Sequence, residues 1–418
     1  MEGVARVGRA GQSSEFGGSS KSHAVASRNF HRCRWDISSQ HGTLSNLCVG
    51  ASGLARERLA AWKVWHGMTI NSETVHLYDT IFDGFQNHRP EALAESTTVV
   101  QRVLREAGIT PERLTAMNVL NVGTGREAVV FQRLGAQRVC HFDLSPKAVG
   151  ALGEWVRELG VSNVTTRVAD VCQPGVLGIQ EDVDFCYLRG VLHHLAEPDL
   201  ASTNLIKATR VGGTIHFRVY QGGSFFFFVA MFARSLVESE DFDLAYHVAD
   251  AHFGDAEAPK GRVAETMDHL FVPVLSLWDI SELDAWFAFM GLTPQHRAPG
   301  RSYDHSDLTA GSRGVSLLYT KVGSSTTLED PPPFPSAIDQ ESGFDYAESW
   351  IKDSLKLFDA LRLQARAWSQ AARVNVAVAC METAFTWDAQ GRSALEEGEA
   401  HERLQRVLRQ SLQDPSRV

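Results

Sequence analysis

The sequence predicts an α/β protein with a doubly wound, seven-stranded sheet, a helical insertion and a C-terminal helical extension. Between residues 117 and 220, short apolar runs alternate with helical segments, which is typical of βαβ units around a parallel sheet. The alternation stops over 221–290, and strand-like runs return at 292–298 and 315–321. Beyond the proline-rich segment 331–335, the sequence is strongly helical.

The length of 418 residues suggests two or three folding units, at roughly 150 residues per domain. We predict a disordered arm, a helical lead-in, one sheet domain and a helical tail in place of several sheet domains. The expected bounds are 1–45 for the arm, 46–116 for the lead-in, 117–322 for the sheet domain with its insertion at 221–290, and 323–418 for the linker and tail.

The strands of the sheet domain follow from short apolar and β-branched runs bounded by turn-forming residues. Five of these runs precede the insertion, at 117–122, 138–142, 164–168, 183–188 and 213–219. Helical segments lie between them, at 126–135, 146–159 and 199–208. Since a helix joins one strand to the next, a parallel sheet with short connections is the economical arrangement.

The segments outside the sheet domain are of two kinds. The arm at 1–45 is rich in Gly, Ser and Arg and has too few apolar residues to form a core. Helix-like patterns follow near 59–65, 77–82 and 91–107. The tail has amphipathic helical patterns at 344–386 and 393–413, and its apolar stripe includes Trp350, Ile351, Leu355, Phe358, Leu361 and Trp368. We predict that this stripe pairs with a second copy in a homodimer; packing on the chain's own sheet domain is the alternative.

Charge and composition disfavour several classes of function. The chain has 40 Lys and Arg against 50 Asp and Glu, a net charge of −10, which is the wrong sign for a protein that coats nucleic-acid phosphates. No run reaches the roughly 18 apolar residues of a membrane span, so we expect a cytoplasmic protein that does not bind membranes. The 6 cysteines are scattered, and no Cys/His cluster has metal-ligand spacing, so we expect no metal site.

A glycine turn at 123–128 carries the first chemical signal. The strand that ends at Val122 runs into Gly123-Thr124-Gly125, which opens a helix. Backbone N–H groups can approach a polar ligand there, because glycine has no Cβ and the helix N-terminus is partly positive. With Asp143 at the end of the next strand, the pattern also satisfies the dinucleotide-binding fingerprint. On its own the turn fits several cofactors, or a purely structural role.

Three later motifs separate the cofactor classes. Asp170 follows the third strand, Leu188-Arg189 ends the fourth before His193-His194, and Val211-Gly212-Gly213 precedes the fifth. In this order and spacing, the sequence resembles the class I S-adenosylmethionine-dependent methyltransferases that act on small molecules. The resemblance covers 117–220 clearly and 291–322 more loosely. It implies a Rossmann-like methyltransferase sheet with S-adenosylmethionine as cofactor.

The resemblance also implies a role for each matching residue. The glycine turn would line the methionine part of the cofactor, Asp143 would hold both ribose hydroxyls, and Asp170 would contact the adenine. The cofactor-binding residues expected on this basis are Asn121, Gly123, Thr124, Gly125, Asp143, Leu144, Asp170, Val171 and Leu188. The chain departs from the family at Asn121, usually Asp or Glu, at Glu127, usually Gly, and at Val211, usually Pro.

Methyl transfer from a sulfonium needs little beyond an acceptor aligned about 3–3.5 Å from the methyl carbon and the exclusion of water. The family's nucleic-acid enzymes carry an Asp/Asn-Pro-Pro-Tyr loop after the fourth strand, and this chain has Leu188-Arg189-Gly190-Val191 there. We therefore predict biosynthetic N- or O-methylation of a small metabolite. Carboxylates in the insertion would suit an amine or guanidine acceptor.

Candidate residues for the acceptor side come from three segments. We predict catalytic roles for His193, Tyr220 and Arg189. The alternatives are that His193 belongs to a loop that only shapes the pocket, that Tyr220 is a packing aromatic, and that Arg189 is a solvated charge. We predict acceptor contacts from Arg218, Glu265, Asp268 and His269; the alternatives are a salt bridge for Arg218 and a solvated loop for the others. Upstream, Tyr78 and Phe82 would close over the cofactor or belong to the core.

Two other functions remain open from the sequence. An NAD(P)-dependent oxidoreductase would use the same Gly-x-Gly-x-x-Ala pattern, but Asp170 and the Gly212-Gly213 turn speak against it. A methyltransferase-like scaffold with a vestigial site, whose tail binds a protein partner, would explain Asn121 and Glu127.

Overall fold

A computed structural model of the chain describes residues 70–85, 89–123, 125–178, 182–222, 225–253, 259–295, 314–323, 332–338, 349–389 and 394–415. All of these residues belong to one compact unit. The arm at 1–45 and the helix near 59–65 lie outside the described residues. Each described helix is too short or too polar to span a membrane.

The sheet of the described chain has seven strands: β1 Asn118–Val122, β2 Arg138–Asp143, β3 Val164–Val168, β4 Val183–Arg189, β5 Thr209–Val219, β6 Leu292–Pro294 and β7 Val315–Lys321. They lie in the order β3-β2-β1-β4-β5-β7-β6. The first five pair in parallel, and β7 runs antiparallel between β5 and β6. The predicted seven-stranded, doubly wound fold is confirmed. The antiparallel strand distinguishes it from the all-parallel dinucleotide-binding sheet.

The carboxyl ends of the parallel strands meet at one edge of the sheet. Val122 of β1 is the register partner of Phe142 on β2 and of Leu188 on β4. At the end of β4, Arg189 lies beside Arg218 of β5. The strand order reverses between β1 and β4, and in open α/β sheets ligands bind outside the carboxyl ends at such a point. Residues that follow these strands therefore converge on one crevice.

Helices cover both faces of the sheet and continue beyond it. Their bounds are α1 Ile70–Ile81, α2 Pro90–Glu106, α3 Pro111–Leu114, α4 Arg126–Arg133, α5 Pro146–Glu158, α6 Pro198–Ala208, α7 Phe225–Arg234, α8 Phe242–Phe253, α9 Pro259–Phe271, α10 Ile280–Phe289, α11 Ser349–Ala365, α12 Gln370–Ala389 and α13 Ala394–Gln413. Helices α2 and α4 bury Val103 and Phe131 against Phe185 on one face of the sheet. On the other face, α6 and α10 bury Leu205 and Phe287 with Phe217.

A third hydrophobic core lies apart from the two on the sheet, and we call it the cap core. It is built by α1, the insertion helices α7, α8 and α9, and the tail helices α11, α12 and α13. The stripe residue Phe358 of α11 stacks on Phe232 of α7, with ring centroids 3.9 Å apart, and Leu361 is fully buried. The described part of the tail stripe is thus covered by the insertion of the same chain. The side chains of Trp350, Ile351 and Leu355 lie outside the described residues.

Two helix boundaries differ from the sequence prediction. The Gly- and Pro-containing sequence at 254–261 is typical of a loop, but α9 already begins at Pro259, where the missing N–H costs nothing. Val263 and Met267 are buried in the cap core, so packing outweighs the low helix propensity of Gly261. In the tail, the first predicted helix is divided in two, because the Ser369 hydroxyl caps a new helix by accepting from the Ala372 N–H at 3.3 Å.

Candidate functional site

The glycine turn after β1 is held by close contacts with two other segments. Gly123 has φ +92°, and its N–H donates to the Phe142 carbonyl at 3.0 Å. A Cβ on Gly123 would lie 2.3 Å from Cγ2 of Val191, and one on Gly125 would lie 2.7 Å from Cδ2 of Leu152. Both positions therefore require glycine for packing as well as for any ligand. Gly125 is the N-cap residue of α4, so free N–H groups of this helix open at the carboxyl edge. Thr124 lies outside the described residues.

Asp143 ends β2 at the same edge. Its Oδ1 accepts the Ser145 N–H at 2.7 Å. Removal from water raises the pKa of Asp143 to about 7, against the opposing backbone hydrogen bond from Ser145, and the nearby Asp79 carboxylate raises it further. Helix α1 reaches this loop directly, because Asp79 accepts a hydrogen bond from the Ser145 hydroxyl. Asp143 is thus an acid that ionises near neutral pH and would gain from new hydrogen-bond donors.

The other predicted cofactor residues line the same edge or lie just beneath it. Asp170 follows β3, and its Oδ1 accepts the Cys172 N–H at 2.9 Å, which fixes the turn. Val171 and Leu188 are buried in the core of the sheet, and Leu144 is half-buried beside Asp143. These residues follow or end strands β3, β2 and β4, which all reach the same edge of the sheet.

Asn121 belongs to a buried polar row that the sequence analysis missed. The row crosses four strands in register, from His141 through Asn121 and Tyr187 to His216. All four residues are at most 1% exposed. Burial lowers the pKa of His141 to about 4 and that of His216 to about 3, so both imidazoles are neutral at pH 7. Asn121 thus adds a polar but uncharged group beneath the glycine turn.

A second group of polar and aromatic side chains lies beyond the ends of β4 and β5. We call it the acceptor-side cluster; its members are Tyr78, His193, His194, Tyr220, Asp268 and His269. The His193 ring stacks on Tyr220 with centroids 3.5 Å apart, and Tyr220 faces His269 at 5.9 Å. The Ser276 N–H donates to the His193 carbonyl at 2.9 Å, which ties the segment after α9 to the β4 loop. Four residues predicted for the acceptor side thus meet in one place.

Asp268 is the acid of the acceptor-side cluster. The Tyr78 hydroxyl donates to its Oδ1 at 2.8 Å, and His194 Nε2 lies 3.9 Å from its Oδ2. Burial, and then Asp268, raise the pKa of Tyr78 well above its ordinary value. Arg234 lies close enough for Asp268 to raise its pKa, although burial lowers it to about 10 overall. The carboxylate therefore accepts a hydrogen bond from α1 and lies near an arginine of α7 and a histidine of the β4 loop.

His193 is the most deeply buried histidine of this cluster. It is fully buried, and neither ring nitrogen has a hydrogen-bond partner among the described residues. Burial first, and then neighbouring His194 and His269, lower the pKa of His193 well below its ordinary value. The imidazole is therefore neutral at pH 7, with a lone pair on one nitrogen and an N–H on the other.

The chain's middle portion matches a known family. Residues 120–217 match the family described as the methyltransferase domain. The order of strands and motifs in this segment is similar to that of the class I S-adenosylmethionine-dependent methyltransferases. The chain carries that domain. No curated protein matches the chain.

Solved structures similar to the methyltransferase domain include the YcgJ protein from Bacillus subtilis, with 17% identity over 32% of this chain and 58% of that chain and a TM-score of 0.27. Another is TehB from Haemophilus influenzae, with 23% identity over 27% of this chain and 38% of that chain and a TM-score of 0.24. A third is a SAM dependent methyltransferase from Aquifex aeolicus, with 19% identity over 30% of this chain and 73% of that chain and a TM-score of 0.24. The chain spans 38%, 58% and 52% of the length of the first three matches. These scores are too low to transfer a reaction to this chain.

S-adenosylmethionine is the cofactor of this domain, and the residues at the carboxyl edge fit it. Asp143 is a poorly solvated acid that two ribose hydroxyls would satisfy. Gly123 and Gly125 bring backbone close to the crevice, and the pair Asp79 and Asp143 favours a positively charged ligand. In the part of the chain that the structure describes, no group of three or more His, Cys, Asp or Glu side chains could hold a metal ion.

Arg189, one of the predicted catalytic residues, forms an ion pair with a buried acid on α4. Arg189 donates from Nη1 to Glu127 Oε1 at 3.2 Å. Glu127 is 2% exposed at its side chain and is also 3.3 Å from the Ser96 hydroxyl. Burial alone would lower the pKa of Arg189, but Glu127 raises it above its ordinary value. Arg189 therefore anchors the end of β4 to α4, and Glu127, the departure from the family pattern, is its counterion.

The remaining predicted residues lie at different depths. Glu265 pairs with Arg262 at 3.3 Å on the outside of α9, and its carbonyl accepts from His269 Nδ1 at 2.7 Å. Asp268 and His269 are buried on the same helix, so the solvated loop considered for this segment is wrong. Arg218 ends β5 with its Nε 2.6 Å from where a Cβ of Gly314 would lie.

Sequence reasoning missed Asp79, Ser145, Arg234 and Phe385 as neighbours of the site. Ser145 had a usable signal, since Ser before Pro146 is typical of an N-cap, and its hydroxyl accepts the Ala148 N–H at 2.9 Å. Arg234 is half-buried and donates to the His269 and Val272 carbonyls at the end of α9. No local pattern marks either Arg234 or Phe385, because their partners are distant in sequence.

Proposed function

We propose that the chain transfers a methyl group from S-adenosylmethionine to a small-molecule acceptor. One observation carries the proposal: helix α1 contacts both halves of the site, since the Tyr78 hydroxyl donates to Asp268 at 2.8 Å and Asp79 accepts from the Ser145 hydroxyl beside Asp143. The two halves of the site therefore adjoin, as in-line transfer between a bound donor and a bound acceptor requires.

Each half of the proposed site has a task. When bound, S-adenosylmethionine supplies the activated methyl group. Asp143 accepts hydrogen bonds from the ribose hydroxyls, Asp170 contacts the adenine, and Leu188 excludes water from the crevice. His193 takes up the proton that a nitrogen or oxygen acceptor loses, because its imidazole is neutral at pH 7 and its ring nitrogens have no hydrogen-bond partner among the described residues.

An amine or guanidine is the acceptor class we favour. Aromatic faces of Tyr220 and His269 surround the cluster, and cations bind over such faces. Asp268 adds a negative charge in a buried setting, where an ion pair is screened less than at the surface. A phenol or carboxylic acid would lack both attractions, so N-methylation is preferred over O-methylation.

Two measurements test this function. Isothermal titration with S-adenosylhomocysteine should give binding in the micromolar range typical of cofactors. Labelled S-adenosylmethionine, incubated with panels of amines, guanidines, phenols and carboxylates, should label a nitrogen compound. Binding of a nicotinamide nucleotide instead of S-adenosylhomocysteine would favour an oxidoreductase and overturn the proposal.

The scaffold function remains as a second candidate because of Asn121 and Glu127. It predicts no cofactor binding and no labelling of any acceptor, together with retention of a protein partner by the tail. The homodimer and the cytoplasmic location also remain predictions. A monomeric mass in light scattering of the full chain would exclude the dimer.

A further inference from the structure

We propose that the tail helix α12 is part of the acceptor site, with Phe385 as a positioning residue that holds His269 against Tyr220. This inference rests on the proposed function, because it assigns the tail a task in acceptor binding. It gives the helical tail a role within its own chain, in place of the predicted partner or second copy.

The first support is the shared cap core. Tail residues Val374, Ala377 and Met381 of α12 are fully buried in the same core as Phe226 and Val229 of the insertion helix α7. Each segment buries its apolar face against the other. Without its partner, either face would be exposed to water. The insertion that lies over the acceptor-side cluster is thus built on the tail.

The second support is a continuous line of rings from the tail to the β4 loop. Phe385 meets the His269 ring edge-on, with centroids 6.5 Å apart and planes at 87°. His269 faces Tyr220 at 5.9 Å, and Tyr220 stacks on His193 at 3.5 Å. Because aromatic contacts fix ring orientation, movement of Phe385 is passed to the group proposed to take up the proton.

Phe385 is itself held from several sides. Its ring lies 5.6 Å from that of Phe226 and 6.1 Å from that of Phe253, and the Arg262 guanidinium lies 4.6 Å from its centroid. His269 is held at its other end, since Nδ1 contacts the Glu265 carbonyl one turn back at 2.7 Å. The His269 ring therefore has one polar anchor and aromatic neighbours on several sides, with the centroid of Phe226 at 5.0 Å and that of Phe385 at 6.5 Å.

Polar contacts fix α12 in its place on the insertion. Arg373 pairs with the buried Asp241 at 3.4 Å, and Glu382 contacts His252 Nε2 at 3.0 Å and Arg403 at 2.5 Å. Removal of Arg373 would leave the buried Asp241 carboxylate without a counterion. These contacts set the register of α12, and hence the depth at which Phe385 enters the site.

The test compares Phe385→Leu with a matched control, Phe358→Leu. Both phenylalanines are 3% exposed in the cap core, and Phe358 stacks on Phe232 and meets Phe228, away from the acceptor-side cluster. Both variants should lower the melting temperature to a similar extent. Phe385→Leu alone should raise the KM for the acceptor identified with labelled S-adenosylmethionine by about tenfold, or change the order of preference among acceptors. Its affinity for S-adenosylhomocysteine should stay within about twofold of wild type.

A second readout does not depend on turnover. In the full chain labelled with ¹⁵N-histidine, the His269 signal is assigned from its loss in His269→Gln, and Phe385→Leu should shift it while Phe358→Leu leaves it in place. Equal shifts in both variants, or none in Phe385→Leu, would overturn the role of Phe385. If the chain bound no S-adenosylhomocysteine, the proposed function would fail, and this spectrum would still decide whether Phe385 positions His269.

Discussion

The cofactor side and the acceptor-side cluster are built in opposite ways. Each cofactor-side residue directly follows a strand or belongs to one, all within 121–188, and backbone geometry sets its position. The acceptor-side cluster is assembled from α1, the β4 loop, the end of β5 and α9, and Tyr78 and Asp268 are separated by 190 residues along the chain. The first is fixed by local turns, and the second by the cap core. Substitutions should therefore act locally on one side and through packing on the other.

The largest effect should come from Asp143→Asn. Loss of charge-assisted hydrogen bonds to the ribose, at about 1.5–3 kcal/mol each, should weaken S-adenosylhomocysteine binding by roughly 100-fold in isothermal titration. Asp182→Asn is the matched control, because Asp182 is an exposed acid that pairs with Arg138 at the start of β2. Unchanged affinity in Asp143→Asn would instead support the scaffold function.

The next effect is the pH dependence of cofactor affinity. Since the pKa of Asp143 is about 7, the free protein carries a protonated acid below that pH and must lose the proton to bind. Affinity for S-adenosylhomocysteine should therefore fall by up to about tenfold per pH unit below 7, and Asp143→Asn should remove this slope. A flat profile from pH 8 to 5 would contradict the assignment.

The same shift predicts how stability without ligand varies with pH. The pKa of Asp143 is raised in the folded chain, so its contribution to the free energy of unfolding is present below the ordinary pKa and is lost as pH rises to about 7. Ligand-free Asp143→Asn should thus melt at a higher temperature than wild type at pH 8. The two should converge at pH 4.

Gly123→Ala probes the backbone of the cofactor side and should cost about 1–3 kcal/mol of stability in chemical denaturation. Gly160→Ala is its control, since Gly160 also has positive φ, at +63°, but nothing lies within 4 Å of its added Cβ. The difference between the two variants isolates the contact with Val191. Equal losses would mean that the turn tolerates the methyl group.

The smallest effect should follow Tyr78→Phe on the acceptor side. Removal of the hydroxyl leaves Asp268 without one donor in a buried place, at a cost of about 1–2 kcal/mol in thermal or chemical unfolding. Turnover of the labelled acceptor should drop, while S-adenosylhomocysteine affinity stays the same. An equal loss of cofactor affinity would show that the two sides are not separable.

The same contrast explains what the sequence could predict. The strand, glycine turn and helix at 118–133 follow from apolar runs, Gly φ freedom and helix capping, which are local properties. The contact between Phe385 and His269 has no such signal, because it depends on how α9 and α12 pack in the cap core. Glu127 shows an intermediate case: its substitution for glycine is visible in the sequence, but its partner Arg189 is apparent only when β4 and α4 are side by side.

The make-up of the cap core also sets an order of events during synthesis. Its buried residues run from Leu77, ahead of the sheet, to Leu408, close to the end of the chain. The five parallel strands, by contrast, are complete by Val219. Chains fold from the N-terminus as they are made, so the sheet can form long before α12 and α13 leave the ribosome. The phenylalanines of the insertion therefore stay uncovered until these two helices have been made.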